Sequence, residues 1–482
     1  MTILEYNDFD LRFTRDGAGY RANVLHAPAG EAQHYFELPF SRDRLDLLLL
    51  QIGMRPRADT RRVYSPQMAA IREVGSTLFD SVFSNEIRVC FRSSLERLPP
   101  ETGMRIKLRL QEAPELLGLP WELLLDSSLN CFIGKSNRTP IVRYIEMPQR
   151  IRPLAIKLPL NILVMVSSPK DMHQLQVGHE SDLLRQVFSH QIQAGRVSIT
   201  VLPKASLRAL QQELRRGQYH VFHYVGHGAF DSASQEGVLM LEDENGFSRR
   251  TSALQLGTLL HDHQSLRLAV LNACDGARSS LTDPYAGVAT TLIQQGIPAV
   301  VAMQHEITES AALTFAEEFY VSLSDGLPVD TAVTEARKAI YALPNESEWM
   351  TPVLYMRANN GVLFTVGRPD GQQRKNHAGL QVPTYRARAS TPMVVPTDLH
   401  RHDRPQRISP TLPNNTDPSG HAVLPGRPST TGNSGNPASA TGQPDRGAIG
   451  VQKKTEASLW AKRILWLAIE AGVALYVLYQ VL

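Results

Sequence analysis

Apolar positions along this chain change their period several times, and each change marks an element. Up to about residue 54 the apolar runs FDLRF, YRANVL and HYFELPF are short and separated by Gly, Pro and Asp. This predicts a small β-rich module over residues 1–60. Between residues 64 and 98 the spacing turns helical, with Ile71, Val74, Leu78, Phe79 and Val82 recurring three to four positions apart. MRIKLRL reads as a strand, and Pro120-Trp121-Glu122-Leu123-Leu124 opens a short apolar turn or helix in which Trp121 is a core anchor. NILVMVSS, at 161–168, has the unbroken apolar run of a strand buried on both faces, and it stops at Ser167, Ser168 and Pro169.

Beyond that strand the periods alternate. Helical spacing over 183–194, 206–216, 253–260, 284–295, 310–324 and 329–341 is interleaved with extended runs at 197–202, 219–225, 266–273 and 299–303. A hairpin over 237–250 is signalled by Asn245-Gly246. The fold class is therefore α/β, with a parallel-rich sheet carrying helices on both faces. Sheets of this kind place their chemistry at the carboxyl ends of the strands.

Two strand ends carry candidate chemistry. The run QYHVFHYVGHGAFD (218–231) stops at His227 and the run LRLAVLNACDGA (266–277) at Cys274, 47 positions later. A thiol needs a neighbouring imidazole to become a thiolate and to protonate a leaving amine. The histidine-first order and the spacing fit a cysteine protease of the caspase type. Gly228 has no side chain to obstruct its N–H, which together with that of Cys274 would face a developing oxyanion. Taken singly, Cys274 reads as a buried small hydrophobe and His227 as a turn residue; the pair, in this order at two strand ends, favours a site. His223 reads as a core residue or a hydrogen-bond partner of the site. Such chemistry needs no metal and no other cofactor.

Charge and cysteine content narrow the setting. The net charge of +3 over 482 residues is unevenly placed: the segment after 367 is basic, leaving 1–367 at about −4 and without a nucleic-acid footprint. Three cysteines, Cys90, Cys131 and Cys274, give no disulfide framework and fit a reducing cytosol. MTILEYNDFD is polar and acidic and has none of the regions of a secretory signal.

GHG around His227, LNAC before Cys274, LPWELL at 119–124, TPIVRY at 139–144, GIPAVVAMQ at 296–304 and TPVLY at 351–355 together resemble the CHAT domain. This is a caspase-like fold related to separases, caspases and metacaspases. The resemblance, over about 64–366, implies a peptidase domain spanning 61–367 with His227 and Cys274 as its catalytic dyad. It also implies protein substrates, an activating protein partner, and regulated proteolysis in bacterial signalling or defence. Caspases have Gln-Ala-Cys where this chain has Asn272-Ala273-Cys274, so their preference for aspartate does not carry over. After AMQ the chain continues with His305 and Glu306, more polar than the family pattern.

Asp275, Glu306 and Glu309 are candidates to line a pocket for a basic side chain, with Glu309 better read as a helix N-terminal acid. His261-Asp262-His263 reads as an exposed loop rather than a metal site, which needs three or four convergent ligands.

From residue 368 the composition shifts to Pro, Ser, Thr, Gly and Asn, predicting a disordered linker over 368–456 with an end-to-end distance of about 50 Å. Arg386, Arg388 and Arg407 within it are candidate processing sites. An anchor is expected over 459–482. Its apolar stretch, 464–482, would be about 28 Å long as a helix, just enough to span a bilayer. Lys453, Lys454, Lys462 and Arg463 precede it, which keeps the catalytic domain cytoplasmic. Glu470 interrupts the stretch, and Ala468 with Gly472 would permit close helix packing and self-association. The expectation is a membrane-tethered caspase-like cysteine endopeptidase. Two alternatives are a noncatalytic scaffold and an effector that perturbs the membrane through its C-terminal helix.

Overall fold

Two adjacent strands show how the N-terminal third is built. β1 (Glu5–Asp16) and β4 (Thr102–Glu112) run parallel, with Asp8 beside Arg105 and Asp10 beside Lys107. Because side chains alternate along a strand, Phe9, Leu11 and Phe13 of β1 and Ile106, Leu108 and Leu110 of β4 share one apolar core. There Phe9 meets Phe83 and Phe91, and Phe13 meets Trp121. The alternate residues form charged pairs: Lys107 Nζ lies 2.7 Å from Asp8, Arg109 Nε lies 2.6 Å from Asp10, and buried Arg105 pairs with both Asp8 and Asp330. Acids on one strand and bases on the next fix the register, since a slip of one residue would bury every charge in the aromatic core.

The computed structural model describes residues 5–53, 66–172, 185–231, 236–273, 284–305, 307–343 and 347–367. β2 (Gly19–His26) and β3 (Ala32–Phe36) continue outward from β1 as antiparallel strands. The β-rich start of the chain thus extends the main sheet through the β1–β4 pairing. The helical stretch read from residue 64 is two helices, Pro66–Val82 and Asn85–Arg97. They are broken at Phe83 and Ser84, where Asn85 takes a φ of 46°.

After β4 come two short strands, β5 (Leu125–Asp126) and β6 (Cys131–Phe132), which pair with each other, and then β7 (Ile141–Tyr144). β8 (Leu154–Lys157) pairs with the last strand, β18 (Phe364–Gly367). The C-terminal half supplies β9 (Leu160–Val166), β10 (Val197–Val201) and β11 (Val221–Gly226). β12 (Gly228–Asp231), β13 (Glu236–Glu242) and β14 (Ser248–Ser252) leave the main sheet as a three-stranded antiparallel one. β15 (Leu268–Ala273), β16 (Ala299–Met303) and β17 (Pro352–Met356) return to it.

Among the described residues the main sheet has eleven strands in the order β10-β9-β11-β15-β16-β17-β7-β4-β1-β2-β3. Pairing is parallel except between β16 and β17 and at the β1-β2-β3 edge. All residues of β11, β16 and β17 are buried, as central parallel strands require when both faces are covered.

Local chemistry sets the helix starts. Ser206 caps helix Leu207–Arg216 by accepting from Ala209 N, and Ser252 with Gln255 forms a capping box on helix Ala253–His261. The Asn245-Gly246 turn closes the β13–β14 hairpin with Gly246 at a φ of 81°. No helix among the described residues is long and apolar enough to cross a membrane. The linker over 368–456, its arginines and the anchor over 459–482 lie outside the described residues.

Candidate active site

His227 occupies the single position between β11 and β12, where the chain leaves the main sheet. Its backbone is held from two directions. Met240 N of β13 donates to His227 O at 3.0 Å, and the Tyr224 hydroxyl lies 3.0 Å from that same oxygen. Ser167, at the end of β9, donates from Oγ to Met240 O at 2.6 Å, which ties the hairpin to the sheet. Tyr285 donates to Gly226 O at 3.0 Å.

Both glycines of GHG are required by these approaches. A Cβ at Gly226 would sit 2.4 Å from the Tyr224 hydroxyl, and one at Gly228 would sit 2.6 Å from the Tyr285 ring. His227 itself is 1% exposed. The bond from Met240 N to His227 O makes Gly228 and Leu239 a non-hydrogen-bonded pair of the hairpin, so the Gly228 N–H points away from β13.

β15 lies directly beside β11. Their parallel register is constant, from Val221 opposite Leu268 to Gly226 opposite Ala273. Cys274, Asp275 and Glu306 lie outside the described residues. Glu309 is the first residue of helix Glu309–Ser324, whose cap is Thr308. Asn272, on β15, is 7% exposed, and its Oδ1 has no hydrogen-bond partner.

His223 is buried on β11, and its Nδ1 lies 2.9 Å from the Tyr320 hydroxyl. Burial disfavours the imidazolium and pulls its pKa from 6.5 to about 4. The unfolded chain therefore binds a proton near pH 6.5 that the folded chain takes up only near 4. The stabilising contribution of the neutral ring is complete above about pH 6.5 and is lost as pH falls, amounting to about 2 kcal/mol by pH 5. Urea melts at pH 7 and pH 5 are expected to show that loss in the wild type and a loss smaller by about 2 kcal/mol in His223→Phe.

The carboxyl end of β16 is anchored by a polar cluster absent from the sequence expectations. Glu122 Oε2 lies 2.8 Å from Arg143 Nη2, and Glu122 Oε1 lies 3.9 Å from Arg337 Nη2, with all three side chains at most 2% exposed. Arg143 also donates to Leu117 O, Leu119 O and, at 3.0 Å, to Gln304 Oε1. Gln304 Nε2 donates to Gly118 O, and Arg143 Nη1 lies 3.2 Å from the Tyr355 hydroxyl. Burial lowers the Arg337 pKa to about 10, with Glu122 acting in the opposite sense. The signal was present in the sequence as lone charges, Glu122 and Arg143, inside apolar runs.

The segments LPWELL, TPIVRY, AMQ and TPVLY thus converge on one buried cluster. A match to the CHAT domain family covers residues 72–406, more than half of the chain. The chain belongs to the CHAT domain family. The match continues past residue 367, into the stretch whose composition predicts a linker. No curated protein matches the chain.

Among solved structures, two crystal structures of the Saccharomyces cerevisiae separase–securin complex are similar to this chain. The 3.0 Å structure aligns at 12% identity and a TM-score of 0.40, covering 73% of this chain and 30% of that one. The 2.6 Å structure aligns at 13% identity and a TM-score of 0.32, covering 64% and 20%. The CHAT chain therefore corresponds to less than a third of the length of the separase. Among the described residues no group of three or more His, Cys, Asp or Glu is arranged to hold a metal, and His261 Nδ1 is bonded to Gln295 O.

Proposed function

We propose that this CHAT protein is a cysteine endopeptidase in which His227 and Cys274 form the catalytic dyad. The observation that carries this is the β11–β15 register: its offset of 47 is unchanged over six residue pairs. The same offset of 47 separates His227 from Cys274 in the sequence, the next position along each strand. Neighbouring strands are about 4.8 Å apart, so a histidine and a cysteine at that level are within reach of each other. Both would stand at carboxyl ends of parallel strands, where sheets of this class bind substrates.

The chemistry follows from the residue types. His227 takes the Sγ proton, and the thiolate attacks the scissile carbonyl carbon. The oxyanion accepts hydrogen bonds from the N–H groups of Gly228 and Cys274. As the C–N bond breaks, the imidazolium gives its proton to the departing amine. A water then loses a proton to the neutral ring, attacks the thioester and releases the acid and the thiol.

The family resemblance supports an activating protein partner that raises the activity of the site. The tail composition supports a single-pass anchor at 464–482 with the catalytic domain on the cytoplasmic side, and close packing of such anchors would allow self-association. The family resemblance supports a role in bacterial signalling or defence. Profiling of cleaved peptides with the full chain tests the proposal. Cleavage by the wild type, absent with Cys274→Ala and retained after removal of 464–482, is the expected outcome. Equal effects of wild type and Cys274→Ala would instead mark a scaffold, and loss of function on removing the tail would mark a membrane effector.

A further inference from the structure

β11, β15 and β16 run parallel, so their amino ends lie together at the end of the sheet opposite His227, and β17, antiparallel to β16, finishes there. His220, Arg267 and Pro298 directly precede the first three strands, and Arg357 directly follows the fourth. Backbone bonds hold these four residues in one row. Arg267 N donates to His220 O at 3.0 Å, Ala299 N donates to Arg267 O at 3.3 Å, and Arg357 N donates to Pro298 O at 3.0 Å. Residues at one level of a sheet project to the same face, so Arg267 and Arg357 share a face on strands two apart, a separation of about 10 Å that two long side chains bridge.

Arg357 is 7% exposed and Arg267 is half-buried. Arg357 Nη2 donates to Gly296 O at 2.8 Å, but the Nε atoms of both arginines are buried and donate to nothing. Buried donors without a partner are rare in folded proteins and call for an explanation. The carbonyl of Gly296 accepts a hydrogen bond and leaves the charge in place. Among the described residues neither arginine has a carboxylate partner. Burial lowers the pKa of both, and the charge of Arg267 lowers that of Arg357 further. The other buried arginines are different: Arg105 pairs with Asp8 and Asp330, and Arg143 and Arg337 with Glu122. Two like charges held together out of water weaken the fold until a group of opposite sign joins them.

We infer that Arg267 and Arg357 form a binding site for a small molecule that carries a phosphate monoester. Each guanidinium is a planar fork of N–H donors whose spacing matches the oxygens of a phosphate. The charge decides between phosphate and carboxylate: a phosphate monoester carries about −1.5 to −2 near pH 7 and balances both arginines, whereas a carboxylate balances one. Arg267, the more exposed of the two, lies on the approach from solvent, and Arg357 lies deeper. That depth suits a small ligand whose phosphate is at its tip. The site is at the far end of the sheet from His227 and uses none of the groups assigned to peptide cleavage.

The full chain, as wild type, Arg267→Gln and Arg357→Lys, is titrated by calorimetry with inorganic phosphate, glycerol 3-phosphate and acetate at fixed ionic strength, with thermal melts in parallel. The wild type is expected to bind both phosphates and to melt at a higher temperature with them, because a ligand of the folded state stabilises it. Acetate should bind about tenfold more weakly or less. Arg267→Gln is expected to weaken phosphate binding about tenfold or more, the size of one lost charge-assisted hydrogen bond. Arg357→Lys keeps the charge but not the fork, and is also expected to bind phosphate more weakly than the wild type. The melts without phosphate separate a ligand site from a structural one. The Arg267 side chain forms no hydrogen bond, so Arg267→Gln, which removes one of two repelling charges, should melt no lower than the wild type in phosphate-free buffer. A lower melting temperature for it there would mean that the guanidinium serves the fold, and overturns the site. So does an absence of phosphate binding, binding of equal strength in all three proteins, acetate binding as tight as phosphate, or binding of inorganic phosphate without the ester.

Discussion

Glu122→Ala is expected to destabilise the protein by about 3–5 kcal/mol. The carboxylate is 1% exposed and lies against two guanidiniums, those of Arg143 and Arg337, that are themselves buried. Removing it leaves two positive charges facing each other out of contact with water. Arg337 already has a lowered pKa of about 10, chiefly through desolvation, and Glu122 is what counteracts that. Arg143 would keep its bonds to Leu117 O, Leu119 O and Gln304, but not the partner that neutralises it. Urea denaturation of the two proteins at pH 7 measures the difference. A loss below about 1 kcal/mol would mean that water reaches the cluster. Glu122→Gln, which keeps the shape and one acceptor, should lie between the two. Because Gln304 belongs to the same cluster, the weakened variant should also lose order at the end of β16, next to the proposed site.

Cys274→Ala and His227→Ala are each expected to reduce kcat/KM by about 10^4-fold, or about 5.5 kcal/mol of transition-state stabilisation. The first would remove the proposed nucleophile. The second would remove both the group proposed to accept its proton and the acid proposed to serve the leaving amine, two roles on one ring. If the proposed dyad acts as a unit, the double variant should be no worse than either single one. Additive losses would show that His227 works at some other step. His223→Phe separates proximity from chemistry: His223 is on the same strand but is bonded to Tyr320, so its loss should alter stability and leave most of the activity.

The sheet was legible in the sequence because central parallel strands must be apolar on both faces. NILVMV, VFHYVG, LAVLNA and AVVAM all became strands of it. The hairpin followed from Asn245-Gly246, whose glycine adopts the left-handed φ that the turn needs. The place of the first strands was not legible. β1 joins β4 across more than 90 residues of chain, and that pairing is set by Asp8 and Asp10 meeting Arg105, Lys107 and Arg109. A local pattern holds no record of such a distant partner.

The candidate site was partly legible for the same reason. A reactive residue next to glycine at the end of an apolar run is a local signal, and His227 does stand directly after the end of β11. The Glu122–Arg143–Gln304 cluster was hidden because its members come from separate segments and each looks like an isolated polar residue in an apolar run.

The central claim is that the imidazole of His227 is close enough to Cys274 to hold it as a thiolate. The rate of Cys274 alkylation as a function of pH, followed by mass spectrometry of its peptide, tests this without any substrate. Exposed Cys131 in the same sample serves as the reference thiol. An imidazolium neighbour should hold the apparent pKa of Cys274 well below the ordinary value of about 8.5, and His227→Ala should return it there. At pH 6.5 the rate is then expected to fall about tenfold or more in the variant while Cys131 is unaffected. Identical pH profiles for Cys274 in the wild type and His227→Ala would contradict the dyad.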